Sequence, residues 1–451
     1  MFMRYFRRFA AFIAAALLCF EAPALTGSWR GELALGNTKL PLVFNFSENS
    51  KGETACTMDS PAQGATGIPT AVALCTADSV SVQCSLIGAE FSGRIAGGEI
   101  AGTFRQSGYS SPLVLKPDAP LEDRRPQTPK PPYPYTVKDT VFMAPDGVIL
   151  SATLTLPAAA KDRKVPGVVL VTGSGPQNRD EELFEHKPFA VIADYLARNG
   201  VASLRYDDRG TGMSKGDFLA GTTYIFKDDA RSGVELMRTI PEIGKVGVIG
   251  HSEGGTIAFM LGAEGVPDFI VSLAGMAVSG KETLMAQNAA SLDKSGISGK
   301  DKDSCLALVD HMFDEIIRQE KSGTQEPLDP EALAKSMGIT VPQPVMESLK
   351  AVQNSRTPWL DAFVGLDPSG SLAAVKCPLL AINGDKDTQV DASSNLSAVG
   401  RLCPKAEIRR MPSLNHLMQH AETGDVAEYG SIRETISPEL LEVMLEFIRK
   451  Q

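Results

Sequence analysis

Cysteine and histidine are both scarce in this chain of 451 residues, which contains seven cysteines and five histidines. So few cysteines argue against a scaffold held together by disulfides, and no C-x-x-C motif indicates a zinc or redox site. The spacing of the cysteines does not reveal which of them would pair. The shortage of histidine matters for catalysis, because it leaves only five candidates for a histidine base.

Positive charge is also in short supply. The chain has 44 lysines and arginines against 54 aspartates and glutamates, which gives a formal net charge of −10 at pH 7. A protein this acidic is repelled by phosphate backbones and by anionic lipid surfaces. We therefore expect neither nucleic acid nor a membrane among its stable partners.

The first 24 residues have the composition of a secretory signal peptide. Arginines occur at positions 4, 7 and 8, an apolar run extends from Phe9 to Phe20, and Ala22 and Ala24 form an A-x-A cleavage pattern. The apolar run is shorter than the roughly 20 residues that span a bilayer as a helix, which argues against a membrane anchor. We predict a signal peptide over residues 1–24 and a secreted or periplasmic protein.

Residues 25–115 lack amphipathic helical stretches. They contain short apolar or alternating runs, such as LPLVFNF and SVSVQC, separated by glycine, asparagine, serine and aspartate turns. This pattern predicts a small all-β domain, either a barrel or a sandwich. Substrate docking, dimerisation and a purely scaffolding role are all open for this domain. Repeated prolines in residues 116–135 then predict an extended, semi-rigid linker.

Strands and helices alternate over residues 136–451. Apolar runs such as KVPGVVLVTG and FIVSLAG predict buried strands, and EELFEHKPFAVIADYLARNG, residues 181–200, predicts an amphipathic helix. The alternation predicts an α/β fold, a mostly parallel sheet with helices on both faces and with reactive groups at the carboxyl ends of its strands. About a hundred residues separate FIVSLAG from PLLAING, so we predict a helical cap insertion at about 279–372.

The stretch VGVIGHSEGGTIAFML, residues 246–261, predicts a buried strand, a sharp turn and a helix. The turn is a G-x-S-x-G motif, in which glycines permit a strained elbow that raises a serine hydroxyl above the sheet. Ser252 is therefore the candidate nucleophile. A second match surrounds Ser214, but it lies well past the end of its strand and no helix follows it cleanly, so we reject it.

A serine nucleophile needs a base, and His416 is the best placed of the five histidines. It directly follows the last predicted strand, where a loop can carry it over the sheet. His251 adjoins Ser252, and we expect its side chain to point away from the elbow. The positions of the other three are less suitable, with His186 in the predicted helix, His311 in the insertion and His420 on the surface or in a helix.

An acid is needed to orient the base, and the segment after the strand PLLAIN offers Asp385 and Asp387. The G-x-x-D-x-x-V pattern of this segment, the elbow, and the chain order serine, aspartate, histidine together resemble the α/β-hydrolase family. The resemblance implies the α/β-hydrolase fold, with Asp387 as the acid in a triad with Ser252 and His416. Asp385 is then a turn residue.

Two backbone N–H groups are candidates for stabilising the oxyanion of a tetrahedral intermediate. The N–H of Glu253 opens the helix after the elbow, where unpaired donors and the helix dipole favour an anion. The second donor is expected in the loop of residues 173–180, with Ser174 first by position and Gly175 second. This loop fits neither of the common phosphate-binding glycine motifs.

Two further features have both a functional and a structural interpretation. Arg209 would either bind a substrate carboxylate or stabilise a loop, and its D-x-R-G-x-G context resembles a structural loop of the fold. Trp359 and Phe363 in the insertion are either pocket walls or ordinary core residues.

Features along most of the chain together resemble those of one protein family. The signal peptide, a β domain beginning GSWRGEL, the proline-rich linker, the TGSGPQNRDE loop and the GHSEGG elbow together resemble secreted bacterial α/β-hydrolase esterases. The resemblance implies a serine carboxylesterase that hydrolyses short- to medium-chain acyl esters of small molecules through an acyl-enzyme, without a metal or an organic cofactor. A serine peptidase or amidase and a non-catalytic binding protein on the same fold are the alternatives, and the sequence does not determine the oligomeric state.

Overall fold

The computed structural model describes residues 25–35, 38–49, 52–63, 65–106, 108–119 and 124–451. The predicted signal peptide, residues 1–24, lies outside these described residues. The chain divides near residue 118 into two compact units, which are described separately.

The first unit is built from strands. Within its described residues these are β1 (Gly27–Leu35), β2 (Thr38–Glu48), β3 (Thr54–Ser60), β4 (Ala65–Pro69), β5 (Ala71–Cys75), β6 (Ser79–Cys84), β7 (Ala89–Ala96), β8 (Glu99–Gln106) and β9 (Tyr109–Pro117). They form one sheet in the order β4-β3-β2-β1-β9-β8-β7-β6-β5, and all its neighbouring strands are antiparallel.

This sheet is barrel-like. Only Thr70 separates β4 from β5 in the chain, although these two strands are the opposite edges of the sheet. The sheet must therefore curl until its edges approach each other. Side chains that alternate along the strands fill the interior, and Phe44, Phe91 and Leu115 are almost fully buried there. The predicted all-β fold of this region is confirmed, and its last strand continues to Pro117, into the segment expected to be linker.

The second unit contains one mixed sheet. Its strands, within the described residues, are β10 (Thr136–Met143), β11 (Ile149–Leu156), β12 (Val165–Val171), β13 (Ala202–Tyr206), β14 (Ile243–His251), β15 (Ile270–Leu273), β16 (Leu379–Gly384) and β17 (Glu407–Met411). The order across the sheet is β10-β11-β13-β12-β14-β15-β16-β17. The pairs from β10 to β13 are antiparallel, and all pairs from β13 to β17 are parallel.

Helices connect and cover these strands. In the described residues they are α1 (Pro188–Arg198), α2 (Thr223–Thr239), α3 (Glu253–Glu264), α4 (Gly280–Lys294), α5 (Gly299–Ser322), α6 (Pro330–Met337), α7 (Gln343–Asn354), α8 (Pro358–Gly365), α9 (Ser369–Ala373), α10 (Ala392–Leu402) and α11 (Pro438–Arg449). Both faces of the sheet are buried, because successive side chains of β12 belong to two different core clusters. One cluster includes residues of α2, α3 and α10, and the other includes residues of α1 and α11. The predicted α/β-hydrolase fold is confirmed.

The helix predicted over residues 181–200 is wrong at its beginning. Helix α1 starts only at Pro188, and Glu181, Phe184 and Glu185 have positive φ angles of 50°, 51° and 65°. Proline is well suited to the first turn of a helix but disfavours helical geometry in the residue before it. Residues 181–187 therefore form an irregular loop, which includes His186.

Six helices, α4 to α9, lie between β15 and β16. The first begins with a capping box in which the side chains of Ser279 and Glu282 bond to each other's backbone N–H groups. Phe363 of α8 packs with Met276 and Val390, which follow the carboxyl ends of β15 and β16. The inserted helices thus form a cap at the end of the sheet where reactive groups are expected.

No helix in the described part of the chain is long and apolar enough to cross a membrane. The six cysteines from Cys56 to Cys403 are free thiols.

Candidate active site

The turn between β14 and α3 is a strained elbow. Ser252 has φ 53° and ψ −118°, a conformation that side chains other than glycine rarely adopt. A Cβ at Gly250 would lie 1.9 Å from the carbonyl oxygen of Gly254, and a Cβ at Gly254 would lie 2.2 Å from that of Val171. Both glycines of the motif are therefore required by the close approach of backbone to backbone.

The elbow brings Ser252 to the wall of a cavity of about 220 Å³. The backbone N–H of Ser252 donates to the carbonyl of Leu273, 2.8 Å away, which fixes the elbow against β15. The cavity is lined by Gly173, Ser174, Gln177, Glu181, Leu183, His251, Ser252, Met276, Leu284, Gln287, Trp359, Phe363, Gln389, Val390, His416 and Leu417. Loops after five strands (β12, β14, β15, β16 and β17) and residues of the cap therefore meet at this serine.

Asp387 and His416 are hydrogen bonded to each other beside the cavity. His416 Nδ1 lies 2.8 Å from Asp387 Oδ2, and both residues are buried. The other oxygen, Asp387 Oδ1, accepts the backbone N–H groups of Gln389 and Val390, each at 2.8 Å. With Nδ1 donating to the carboxylate, the Nε2 of a neutral His416 is left as a proton acceptor.

The described residues show no hydrogen bond between the Ser252 hydroxyl and His416, although both line the cavity. Catalytic hydrogen bonds are often long in an enzyme without substrate and shorten when substrate binds. The arrangement thus brings the three candidate residues, Ser252, His416 and Asp387, together at one cavity.

The loop after β12 lies directly against the elbow. A Cβ at Gly173 would lie 3.1 Å from the Cβ of Ser252, so only glycine fits there without a shift. The N–H of Gly173 already donates to Glu181 Oε1 at 2.7 Å, which leaves the next N–H, that of Ser174, as the nearest candidate donor. Ser174 lines the cavity, as expected for the predicted oxyanion donor. The N–H of Glu253 lies at the first turn of α3.

The buried carboxyl of Asp208 is hydrogen bonded to the loop after β12. Asp208 accepts the Thr172 hydroxyl at 2.9 Å and the Gln177 backbone N–H at 3.0 Å, so it fixes both ends of the segment that contains Ser174. Burial raises the pKa of the Asp208 carboxyl well above its usual range. Asp208 lies in the DDRGTG segment that directly follows β13. Apart from this strand-end position, nothing in the sequence indicated that Asp208 supports the loop of Ser174.

The side chain of Glu253 is a second feature that sequence reasoning missed, because only its N–H was considered. Its carboxyl is buried and accepts the Thr223 hydroxyl at 2.5 Å and the indole N–H of Trp359 at 3.0 and 3.1 Å. Burial raises the pKa of Glu253, while hydrogen bonds from Thr223, Ser174 and Trp359 lower it. The cap helix α8 is thereby hydrogen bonded to the residue that follows Ser252.

Trp359 and Phe363 serve in both of the ways considered. Both line the cavity, and their ring centroids lie 4.8 Å apart in a tilted contact. Phe363 is also a buried member of the small core between cap and sheet. The same aromatic side chains therefore line the cavity and pack in the core between cap and sheet.

His251 does not point away from the site, contrary to expectation. It lines the cavity, its Nδ1 lies 2.9 Å from Glu181 Oε1, and its Nε2 lies 2.8 Å from the backbone carbonyl of His416. The rings of His251 and His416 are 4.8 Å apart. The expectation treated His251 only as a neighbour of Ser252 and did not consider the loops after β12 and β17 that face it.

We expect His251 to make protein stability depend on pH. Burial lowers the pKa of His251, but the charge and hydrogen bond of Glu181, the His416 carbonyl and the Asp387 charge outweigh it and raise the pKa to about 8. Because the folded protein binds the His251 proton more tightly than the unfolded chain does, protonation of His251 stabilises the fold. This stabilisation is fully present below the usual pKa of 6.5 and is lost as the pH rises through about 8. The loss amounts to about 2 kcal/mol.

Chemical denaturation at pH 6 and pH 9 measures this loss. Between these values the free energy of unfolding of the wild type should fall by about 2 kcal/mol more than that of a His251→Gln variant. Equal pH dependence in the two proteins would contradict the assignment.

The remaining candidates have structural roles. The Ser214 hydroxyl is buried, donates to the Asp207 carbonyl at 2.6 Å and accepts the Ser151 N–H at 2.8 Å. Arg209 is held by both oxygens of Asp229, at 2.6 and 2.8 Å, so it is not free to bind a substrate carboxylate. His311 and His420 are exposed, and the described residues contain no group of three or more His, Cys, Asp or Glu side chains that could hold a metal ion.

The chain is similar to several known proteins. Residues 146–407 match the family described as X-Pro dipeptidyl-peptidase (S15 family). A stretch of 112 residues is 34% identical to Esterase EstD of Thermotoga maritima and covers 24% of this chain and 26% of that protein, so the match spans about a quarter of the relative's length. Among solved structures, the Pyrococcus furiosus esterase Pf2001 is 17% identical over 70% of this chain and 91% of that one, with a TM-score of 0.45. Est1E of Butyrivibrio proteoclasticus with ferulic acid bound is 16% identical over 69% and 97%, with a TM-score of 0.39.

The family match covers more than half of the 451 residues. It includes the elbow, the loop after β12 and Asp387, and it ends before His416. The chain belongs to the X-Pro dipeptidyl-peptidase (S15) family.

Proposed function

We propose that this protein is a serine carboxylesterase in which Ser252, His416 and Asp387 form the catalytic triad. The observation that carries the proposal is the 2.8 Å hydrogen bond from His416 Nδ1 to Asp387 Oδ2, beside the cavity that Ser252 also lines. This bond holds the imidazole in the tautomer whose Nε2 can accept a proton from a serine hydroxyl.

In the proposed reaction, Ser252 Oγ attacks the ester carbonyl carbon while His416 Nε2 takes the hydroxyl proton. Asp387 stabilises the resulting imidazolium, and the N–H groups of Glu253 and Ser174 donate to the oxyanion. Collapse of the intermediate breaks the ester C–O bond, and the alcohol leaves with the proton from His416. Water then attacks the acyl-enzyme by the same steps, which releases the carboxylic acid and restores Ser252.

Cavity size and lining support short- to medium-chain acyl groups. Its volume of about 220 Å³ is smaller than the roughly 300–1,000 Å³ typical of pockets for drug-sized ligands. Much of its wall is apolar, formed by Met276, Leu284, Trp359, Phe363, Val390 and Leu417. Such a wall favours an acyl chain by burial of apolar surface, at about 0.8 kcal/mol per methylene group.

Peptide hydrolysis is the second candidate, because the matching family is described as X-Pro dipeptidyl-peptidase. A dipeptidyl-peptidase has to recognise a free substrate ammonium, for which a carboxylate is the natural partner. The carboxylate that lines the cavity, Glu181, already accepts hydrogen bonds from Gly173 and His251 through Oε1. We therefore rank ester hydrolysis first. A non-catalytic binding protein is less favoured, since such a protein would be expected to have lost one of the three triad residues and this chain retains Ser252, His416 and Asp387.

The test compares the two substrate classes on the full-length mature protein. We expect p-nitrophenyl esters from acetate to octanoate to be hydrolysed much faster than palmitate and faster than aminoacyl-prolyl p-nitroanilides. Treatment with a fluorophosphonate should stop the hydrolysis, as expected for a serine nucleophile. Faster cleavage of the prolyl anilides would move the assignment to a peptidase.

From residues 1–24 we also propose a secreted or periplasmic location for this activity.

A further inference from the structure

We infer that Glu181 and His251 share one proton and that this protonated pair is a positioning device, which joins the oxyanion loop to the segment of His416 and is lost at alkaline pH. Neither residue was given a catalytic role from the sequence. The inference deepens the proposed function and rests on it.

The partners of His251 determine how many protons its ring must carry. Nδ1 faces a carboxylate oxygen of Glu181 at 2.9 Å, and Nε2 faces the backbone carbonyl oxygen of His416 at 2.8 Å. An ionised carboxylate and a carbonyl can only accept hydrogen bonds, whereas a neutral imidazole has a single N–H to donate. A neutral ring beside an ionised Glu181 would leave one buried acceptor facing another. Both contacts are satisfied only when the pair holds an additional proton, whichever partner carries it.

His186 is a useful comparison within the same protein. It is also buried, with Nδ1 3.0 Å from the Thr435 hydroxyl and Nε2 3.1 Å from the Tyr429 carbonyl. A hydroxyl can donate, so a neutral His186 satisfies both contacts, and burial lowers its pKa to about 3. His251 has no such donor among its two partners.

The pair connects two parts of the site that are far apart in the chain. Glu181 Oε1 accepts the backbone N–H of Gly173, the residue before Ser174, at 2.7 Å. Through His251 the same carboxylate is linked to the backbone of His416. Loss of the shared proton breaks one of these contacts, which loosens the loop of the oxyanion donor relative to the base. Displacements of this kind are costly for catalysis, because catalytic groups work only within narrow geometric limits.

Charged groups from several loops face this pair. Glu181 comes from the loop after β12, Asp387 follows β16 and His416 follows β17. The buried carboxyl of Asp208 also lies near enough to interact with the charge of Glu181, and with that of Glu253. The carboxylates favour a proton on the pair, whereas burial opposes it. The balance raises the pKa of His251 to about 8, so activity should decline above that pH.

The experiment measures the rate at which a fluorophosphonate labels Ser252 between pH 6 and pH 10, because this readout does not depend on the natural substrate. In the wild type the rate should fall about tenfold from pH 7 to pH 9. In Glu181→Gln the amide oxygen takes the place of Oε1 and can still accept from both Gly173 and His251 Nδ1, but the negative charge that favours a second proton on the ring is gone. The His251 ring is then neutral over this whole pH range, so the pair has no proton to lose. We expect this variant to lose the alkaline decline.

His420→Gln is the matched control. His420 Nδ1 also lies 2.9 Å from a carboxylate, that of Glu434, but this pair is exposed and lies away from the cavity. The labelling rate of His420→Gln should fall at alkaline pH by the same factor as that of the wild type. In parallel, ¹⁵N NMR of the wild type should show protons on both ring nitrogens of His251 at pH 6.5, or a neutral ring bonded to a protonated Glu181.

Each outcome decides one question. A wild type without an alkaline decline, or a Glu181→Gln variant that keeps the decline, overturns the inference while leaving the proposed function intact. Absence of Ser252 labelling at every pH would instead contradict the proposed function. If Glu181→Gln does not fold, a His251 signal that loses no proton between pH 6.5 and pH 9.5 in the wild type overturns the inference on its own.

Discussion

Replacing Ser252 by alanine is expected to lower kcat for a p-nitrophenyl ester by about 10⁶-fold. Ser252 lines the cavity at the tip of the elbow, where the strained backbone, with φ 53°, raises the hydroxyl above the sheet. The residual rate should be that of bound ester attacked directly by water with help from the oxyanion donors. Steady-state kinetics with highly purified protein measure the loss.

Ser214→Ala is the control for this experiment, because Ser214 lies in the second G-x-S-x-G match of the chain. Its hydroxyl bonds to the backbone of Asp207 and Ser151, so the variant should lose some stability but keep kcat within about threefold. Ester hydrolysis that survives in Ser252→Ala at more than about a hundredth of the wild-type rate would mean that the elbow is not the active site.

Asp387→Asn should lower kcat by about 10⁴-fold with little change in the fold. Oδ1 of Asp387 accepts two backbone N–H groups, so the oxygen of an asparagine would take that position and its amide N–H would face His416 Nδ1. A donor at Nδ1 selects the tautomer that carries its proton on Nε2. The imidazole could then no longer accept the proton of Ser252.

The paired control is Asp385→Asn, two residues earlier in the same loop. Asp385 accepts the backbone N–H of Ser413 at 2.6 Å, which is a turn contact that asparagine can also make. We expect kcat of this variant to stay within about threefold of the wild type. Similar losses in the two variants would place the orienting acid elsewhere, and comparison of kcat with KM would show whether binding or chemistry is affected.

The parts of this structure that follow short-range patterns were predictable from sequence. The apolar strands around the elbow, the G-x-S-x-G turn and the strand-end positions of Asp387 and His416 are local features, and fold rules place the carboxyl ends of parallel strands at one edge. Those rules suffice to bring the predicted residues to one cavity. Their catalytic roles stay predictions until the variants are measured.

The parts that depend on distant contacts were not predictable. Glu181 was assigned to a helix from the apolar spacing of residues 181–200, and it instead bonds a histidine 70 positions away. His251 was judged from its neighbour alone, although its orientation is set by the backbone of His416, 165 positions away. The partners of Glu253 likewise come from α2 and from the cap. No local periodicity encodes such contacts.

Trapping of the acyl-enzyme tests the central claim most directly. The wild-type protein is mixed with p-nitrophenyl butyrate, quenched in acid within milliseconds, digested and examined by mass spectrometry. We expect one butyryl group per chain on the peptide that contains Ser252, together with a burst of p-nitrophenol in the first turnover. A protein that turns over the ester without any adduct, or with its adduct on another residue, would contradict the assignment of Ser252 as the nucleophile.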